Sequence, residues 1–150
     1  MGPLRIADLP EGRSLGLDTV TLIYFLERHP TWFAPVRELF QAIEENRFSA
    51  VLSSLVFAEL LVPAYRAGKP EEAARLQHVL THFPNLEIVP LSPAIAAEAA
   101  RLRARYSLRT PDAIHLATAL DRRAVGFVTN DKDLKRLQAE LPVWLLGEDG

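Results

Sequence analysis

Four acidic residues stand in apolar or structurally constrained company. Asp18 follows Leu15-Gly16-Leu17, Glu59 interrupts Leu55-Val56-Phe57-Ala58 and Leu60-Leu61-Val62, Asp112 opens Asp112-Ala113-Ile114-His115-Leu116-Ala117, and Asp131 closes Val125-Gly126-Phe127-Val128-Thr129-Asn130. An acid inside an apolar run is expected to be partly buried, and a buried charge is costly unless it is paired or binds a metal. Two carboxylates ~5 Å apart repel by about 3 kcal/mol at an effective dielectric near 20. Four together therefore require cations or a shared proton. Mg²⁺ and Mn²⁺ accept carboxylate oxygens and waters and leave positions open for phosphate oxygens. One or two such ions orient a water and stabilise the leaving oxygen of a phosphodiester displacement. The chemistry expected of this set is metal-assisted hydrolysis of a nucleic-acid backbone.

The elements that must position these acids follow from the patterning. Short β-rich runs at 14–17, 50–53, 86–91, 125–129 and 143–146 alternate with segments of helical period. Val36, Leu39, Phe40 and Ile43 form one apolar stripe, Leu76, Val79, Leu80 and Phe83 a second, and Ile95, Ala99, Leu102 and Tyr106 a third. Gly68 closes one helix and Pro70 opens the next. Thr110-Pro111 reads as an N-cap and first helical residue, placing Asp112 in the first turn. Strands alternating with helices predict a three-layer α/β/α fold around a central, mainly parallel sheet of about five strands. Asp18 and Asp131 then lie at the carboxyl ends of strands, Asp112 at a helix start, and Glu59 about one and a half turns into a helix. Ligands of open α/β sheets bind in the crevice outside the carboxyl ends of the strands, where all four acids could converge. Residues 1–12, with Gly2, Pro3, Pro10 and Gly12, are expected to form a loosely held extension, and 13–150 a single domain.

Composition sets the outer bounds. At 150 residues, 49% hydrophobic and 24% charged, the chain reads as one soluble globular domain. No apolar stretch approaches the ~20 residues that span a bilayer, and no secretory leader is visible. With no cysteine, any metal must use oxygen or imidazole ligands, and a cytoplasmic location is expected. The net charge of −2 conceals a basic stretch: residues 101–136 hold nine Lys or Arg against four Asp. Cations around two of the four acids suit a polyanionic ligand, the basic groups holding phosphates while the acids hold the metal. Arg105, Arg109 and Lys132 are the phosphate-binding candidates.

The same residues carry a family resemblance. Leu17-Asp18-Thr19, Leu22-Ile23-Tyr24-Phe25-Leu26-Glu27, Ser53 with Ala58-Glu59-Leu60, the run Thr110 to Ala119, and Phe127-Val128-Thr129-Asn130-Asp131-Lys132-Asp133-Leu134 occur in order across about residues 14–146. The chain in this respect resembles PIN-domain ribonucleases, most similarly the VapC-type toxins of toxin–antitoxin pairs. The resemblance implies a Mg²⁺- or Mn²⁺-dependent endoribonuclease leaving a 3′-hydroxyl and a 5′-phosphate. It also implies a homodimer or higher homo-oligomer, and inhibition by a protein antitoxin that reaches into the acidic site. Carried over by position, Asp18, Glu59, Asp112 and Asp131 are the acidic quartet and metal site. Asp18 and Asp112 are direct ligands, Asp131 binds directly or through water, and Thr129 orients a water or a carboxylate. The short first strand with Gly16 and the longer N-terminal extension depart from the toxin pattern.

Each Asp taken singly could be a helix cap or turn residue; the set argues for a site. Asp133 reads as a helix-start residue, His115 as a structural histidine outside the site, and Trp32 and Trp144 as packing residues. The competing functions are an RNA-processing PIN nuclease with no antitoxin and a catalytically silent PIN-fold binding module. A receiver-like signalling module fits poorly, because Gly16-Leu17 precede Asp18 where an acid pair is needed, and Leu91-Ser92-Pro93 follow the third strand.

Overall fold

The computed structural model describes residues 5–147. Its strands are β1 (Ser14–Leu17), β2 (Ser49–Ser53), β3 (Leu86–Val89), β4 (Gly126–Thr129) and β5 (Val143–Leu145). They form one sheet in the order β3-β2-β1-β4-β5, every pair parallel. Helices α1 (Thr19–Leu26) and α2 (Phe33–Glu44) connect β1 to β2. Three more, α3 (Leu55–Leu60), α4 (Val62–Arg66) and α5 (Pro70–Thr81), lead to β3, and α6 (Pro93–Tyr106) and α7 (Thr110–Asp121) lead to β4. A 3₁₀ helix, Lys132–Leu137, precedes β5. This is the three-layer architecture the patterning predicts, and the strand ends differ from expectation by at most two residues.

Period-two alternation builds the layers. Leu15 and Leu17, Ala50 and Leu52, and Val128 face a core shared with α1, α2 and α3. Val51, Phe127 and Val143 face the opposite core, packed by α6, α7 and the 3₁₀ helix. Gly16 belongs to this second face. A Cβ there would lie 2.5 Å from the Cβ of Ala119, so the missing side chain is what lets α7 lie directly on β1. The glycine that departs from the family pattern thus has a packing reason.

Other expectations shift in detail. Gly68 adopts φ +69° and α5 opens at Pro70, as the sequence implies. Helix α7 begins at Thr110 itself, with Arg109 at the N-cap position and no side-chain cap. Of the second apolar stripe, Leu80 is buried but Val79 is 48% exposed. At 100° per residue Val79 lies on the flank of that stripe, and it lines a groove with Leu26, Leu60 and Leu76 instead of the core. Within the expected loose extension, Ile6 and Leu9 are buried in the first core, beside a short 3₁₀ turn at Ile6–Asp8. Residues 1–4 of that extension lie outside the described residues. Gln138 pairs through its side-chain amide with both the N–H and the C=O of Val143, covering part of the free edge of β5. Among the described residues no helix is long and apolar enough to cross a membrane.

Candidate active site

The strand order reverses between β1 and β4, the point at which an open parallel sheet leaves a crevice beyond its carboxyl ends. A cavity of about 480 Å³ opens there, and Asp18, Glu59, Asp112 and Asp131 all line it.

Asp18 ends β1 and caps α1. Its Oδ1 accepts the Thr21 N–H at 3.3 Å, and its Oδ2 accepts the Thr129 hydroxyl at 2.5 Å. The register pairs Leu17 with Val128, so Asp18 and Thr129 are the next residues along adjacent strands. Burial pushes the Asp18 carboxyl up to about 6, against the Thr129 hydrogen bond, the nearby His115 and the Thr21 N–H, which favour its charged form. Asp112 adds to the upward push.

Asp112 is the third residue of α7, its side chain 18% exposed, and Arg109 Nε donates to its Oδ2 at 3.1 Å. Glu59, on α3, has a side chain 33% exposed. Its Oε1 accepts the Thr19 hydroxyl at 2.6 Å and contacts His115 Nε2 at 2.8 Å. The His115 hydrogen bond, followed by that of Thr19, holds Glu59 below the usual carboxylate range despite partial desolvation.

Asp131 departs from expectation. It is exposed, because the chain has already left β4, and its Oδ1 caps the 3₁₀ helix by accepting the Asp133 N–H at 3.0 Å. Thr129 does not line the cavity; it lies buried beneath it, donating to Asp18 and accepting the Asp131 N–H at 3.1 Å. Asp133 points away into an ion pair with Arg136.

Of the basic candidates, only Arg109 lines the cavity. Lys132 is exposed next to Asp131, and Arg105 lies over the Tyr106 ring and 4.0 Å from Glu140. The cavity also includes Thr19, Tyr24, His115 and Asn130, which sequence reasoning leaves out. Tyr24 and Asn130 are joined by a 3.3 Å hydrogen bond. His115 carried a readable signal: it is a polar residue in an apolar helix, one turn from Asp112, which is the criterion that singled out the acids.

The donor set suits a hard divalent cation, being carboxylate oxygen with no thiolate. Among the described residues no three His, Asp or Glu side chains stand close enough to cage an ion unaided. Burial disfavours the charge of Asp18, and Asp112, lining the same cavity, adds to that cost.

A doubly wound parallel sheet with acids gathered at its switch point defines a class of ligand-binding α/β domain. The PIN domain family model matches residues 16–140, and the chain belongs to that family. No curated protein matches it. Among solved structures it is similar to VapBC2 from Rickettsia felis, solved bound to a DNA fragment from their promoter (21% identity, TM-score 0.69, covering 88% of this chain and 98% of that one). It is also similar to a toxin–antitoxin complex from Klebsiella pneumoniae (26%, 0.60, 81% and 89%). A third is VapC20 of Mycobacterium tuberculosis, a sarcin–ricin loop cleaving toxin (12%, 0.63, 82% and 93%).

Proposed function

We propose that the protein is a Mg²⁺- or Mn²⁺-dependent endoribonuclease and the toxin of a toxin–antitoxin pair, acting in the cytoplasm as a homodimer or higher homo-oligomer. One observation carries the nuclease reading. Four acids line one cavity, and burial pushes the most buried of them, Asp18, up to about 6, so a bound cation would favour its charged form. Membership of a family of nucleases and the similarity to toxin structures point the same way.

In this reading Asp18 and Asp112 would hold the ion, and the Thr129 hydrogen bond would orient the Asp18 carboxylate for it. The bound ion supplies a polarised water and charge stabilisation at the phosphate. Glu59, kept ionised by His115 and Thr19, would accept a hydrogen bond from the attacking water and orient it. Asp131, on the exposed rim, would bind the ion directly or through water. Arg109, free to leave Asp112, binds a phosphate of the RNA. The products carry a 3′-hydroxyl and a 5′-phosphate.

The antitoxin reading draws on a second cavity beside the site. It shares Ile23 and Glu59 with the first and exposes Leu26 and Val79, an apolar groove suited to a partner segment. The test compares wild type with Asp112→Asn on mixed RNA, with Mn²⁺ and with EDTA. Cleavage by wild type with metal alone supports the nuclease; no cleavage and no Mn²⁺ binding by either protein favours a silent binding module. Growth arrest on expression that no neighbouring gene product relieves would favour an RNA-processing nuclease without antitoxin.

A further inference from the structure

We infer that His115, with Thr19, is a positioning residue that fixes the Glu59 carboxylate relative to Asp18 and Asp112. The inference rests on the nuclease reading and adds a residue pair to it.

His115 is 3% exposed and surrounded in α7 by Ile114, Leu116 and Ala117. Its Nδ1 is buried with no hydrogen-bond partner among the described residues. An unpaired buried polar atom costs about 1–3 kcal/mol, so an apolar side chain of similar length would serve folding better. The other ring nitrogen accounts for the histidine. Nε2 lies 2.8 Å from Glu59 Oε1 and 3.0 Å from the Thr19 hydroxyl, which is itself 2.6 Å from the same Oε1. An ionised carboxylate only accepts, so the Thr19 hydroxyl and His115 Nε2–H both donate to Oε1. Oε2 has no protein partner among the described residues and is left for solvent or substrate.

The two donors come from the elements that carry the other acids. Thr19 opens α1 directly after Asp18, and His115 lies one turn beyond Asp112 on α7. Glu59 reaches across from α3, one-third exposed and otherwise free to change rotamer. The braces therefore set the third carboxylate against the first two from both sides. Outer-shell partners of this kind typically change affinity or activity by about 10–100-fold when removed.

The test uses His115→Met, His115→Gln, Glu59→Ala and the His115→Met/Glu59→Ala double variant. In metal-free wild type, long-range ¹H–¹⁵N spectra should place the His115 proton on Nε2, with that resonance moved by Glu59→Ala. His115→Met should melt no lower than wild type without metal, yet lose at least about tenfold in kcat with Mn²⁺. His115→Gln, which restores a donor, should recover part of that loss. In the Glu59→Ala background His115→Met should change the residual rate by less than about twofold, since the coupling runs through Glu59. A proton on Nδ1, an unchanged kcat, or an equal loss in both backgrounds overturns the inference. Should His115→Met fail to fold, Thr19→Val removes the other donor and carries the same expectations. If wild type neither cleaves RNA nor responds to Mn²⁺ while the Nε2 signature holds, the nuclease reading is what fails, and the positioning role for that reaction goes with it.

Discussion

Thr129 donates its hydroxyl to Asp18 across 111 positions of sequence, joining the ends of β1 and β4 at the one place where the order of the sheet reverses. The bond favours the charged form of a carboxylate that burial otherwise disfavours. Thr129→Val, similar in shape but without the donor, should raise the Asp18 pKa beyond about 6. A hydrogen bond to a charged group contributes about 1.5–3 kcal/mol, so Mn²⁺ binding near pH 6.5 should weaken by about tenfold or more. Thr129→Ser should behave as wild type. Mn²⁺ titrations of melting temperature at several pH values decide the matter.

Asp18 also sets the pH dependence of the metal-free protein. Its folded pKa, about 6, lies above an unfolded value of about 3.9. A raised carboxyl pKa favours folding below the unfolded value, and that contribution is lost as pH rises through the folded one. Stability without metal should therefore fall between about pH 4 and pH 6. Asp18→Asn should cancel this fall, worth up to about 3 kcal/mol at pH 8 and about 9 °C in melting temperature. Added Mn²⁺ should stabilise wild type and not the variant. Reasoning from repulsion alone would place this gain at Asp112, but Arg109 already pairs with that acid, so Asp18 is the stronger test.

Among the described residues Arg109 is the one Lys or Arg that lines the cavity, and its side chain is 78% exposed. Its field reaches Asp112 first, then Asp131 and Glu59. An exposed ion pair of this kind contributes little to folding. Arg109→Ala should accordingly leave the melting temperature nearly unchanged, tighten Mn²⁺ binding by removing a competing cation, and raise KM for RNA. The salt dependence of RNA binding should become shallower by about one phosphate contact. Tighter RNA binding in the variant would count against its phosphate role.

Gly16 couples stability to the site. Gly16→Ala forces a methyl against Ala119 and Phe127, and should cost about 1–3 kcal/mol while shifting α7, which carries Asp112 and His115. Gly68→Ala is the control: it sits at φ +69° with open space around it, so it should cost about 1 kcal/mol and leave cleavage intact. Denaturation curves and cleavage rates, measured on both variants, separate local strain from displacement of the site.

Much of the fold was readable because its signals are local. The β-rich runs, Gly68-Lys69-Pro70 and the helical stripes each declare themselves within a few residues. The acids were readable because charge within an apolar run is unusual. Asp131 is the exception: its apolar neighbours belong to β4, and the chain turns to solvent just after them, so the run did not imply burial. Val79 failed for a related reason, since spacing gives the stripe but not how far around the helix the core extends. Thr19 was missed, and His115 was read as structural despite its local signal, because the part of each depends on Glu59 arriving from a different helix.

The lateral order of the strands has a consequence during synthesis. A ribosome releases Asp18 early and Glu59 41 residues later, but β4, which lies beside β1 and ends in Thr129, begins 108 residues after Asp18. Long-range parallel pairing of this kind is also slow to form. A nascent chain that still lacks β4 has no partner strand on that side of β1, and Asp18 has no Thr129 to hold it. If the acids cleave RNA, the ribosome translating this message is shielded from its own product until the sheet is nearly whole.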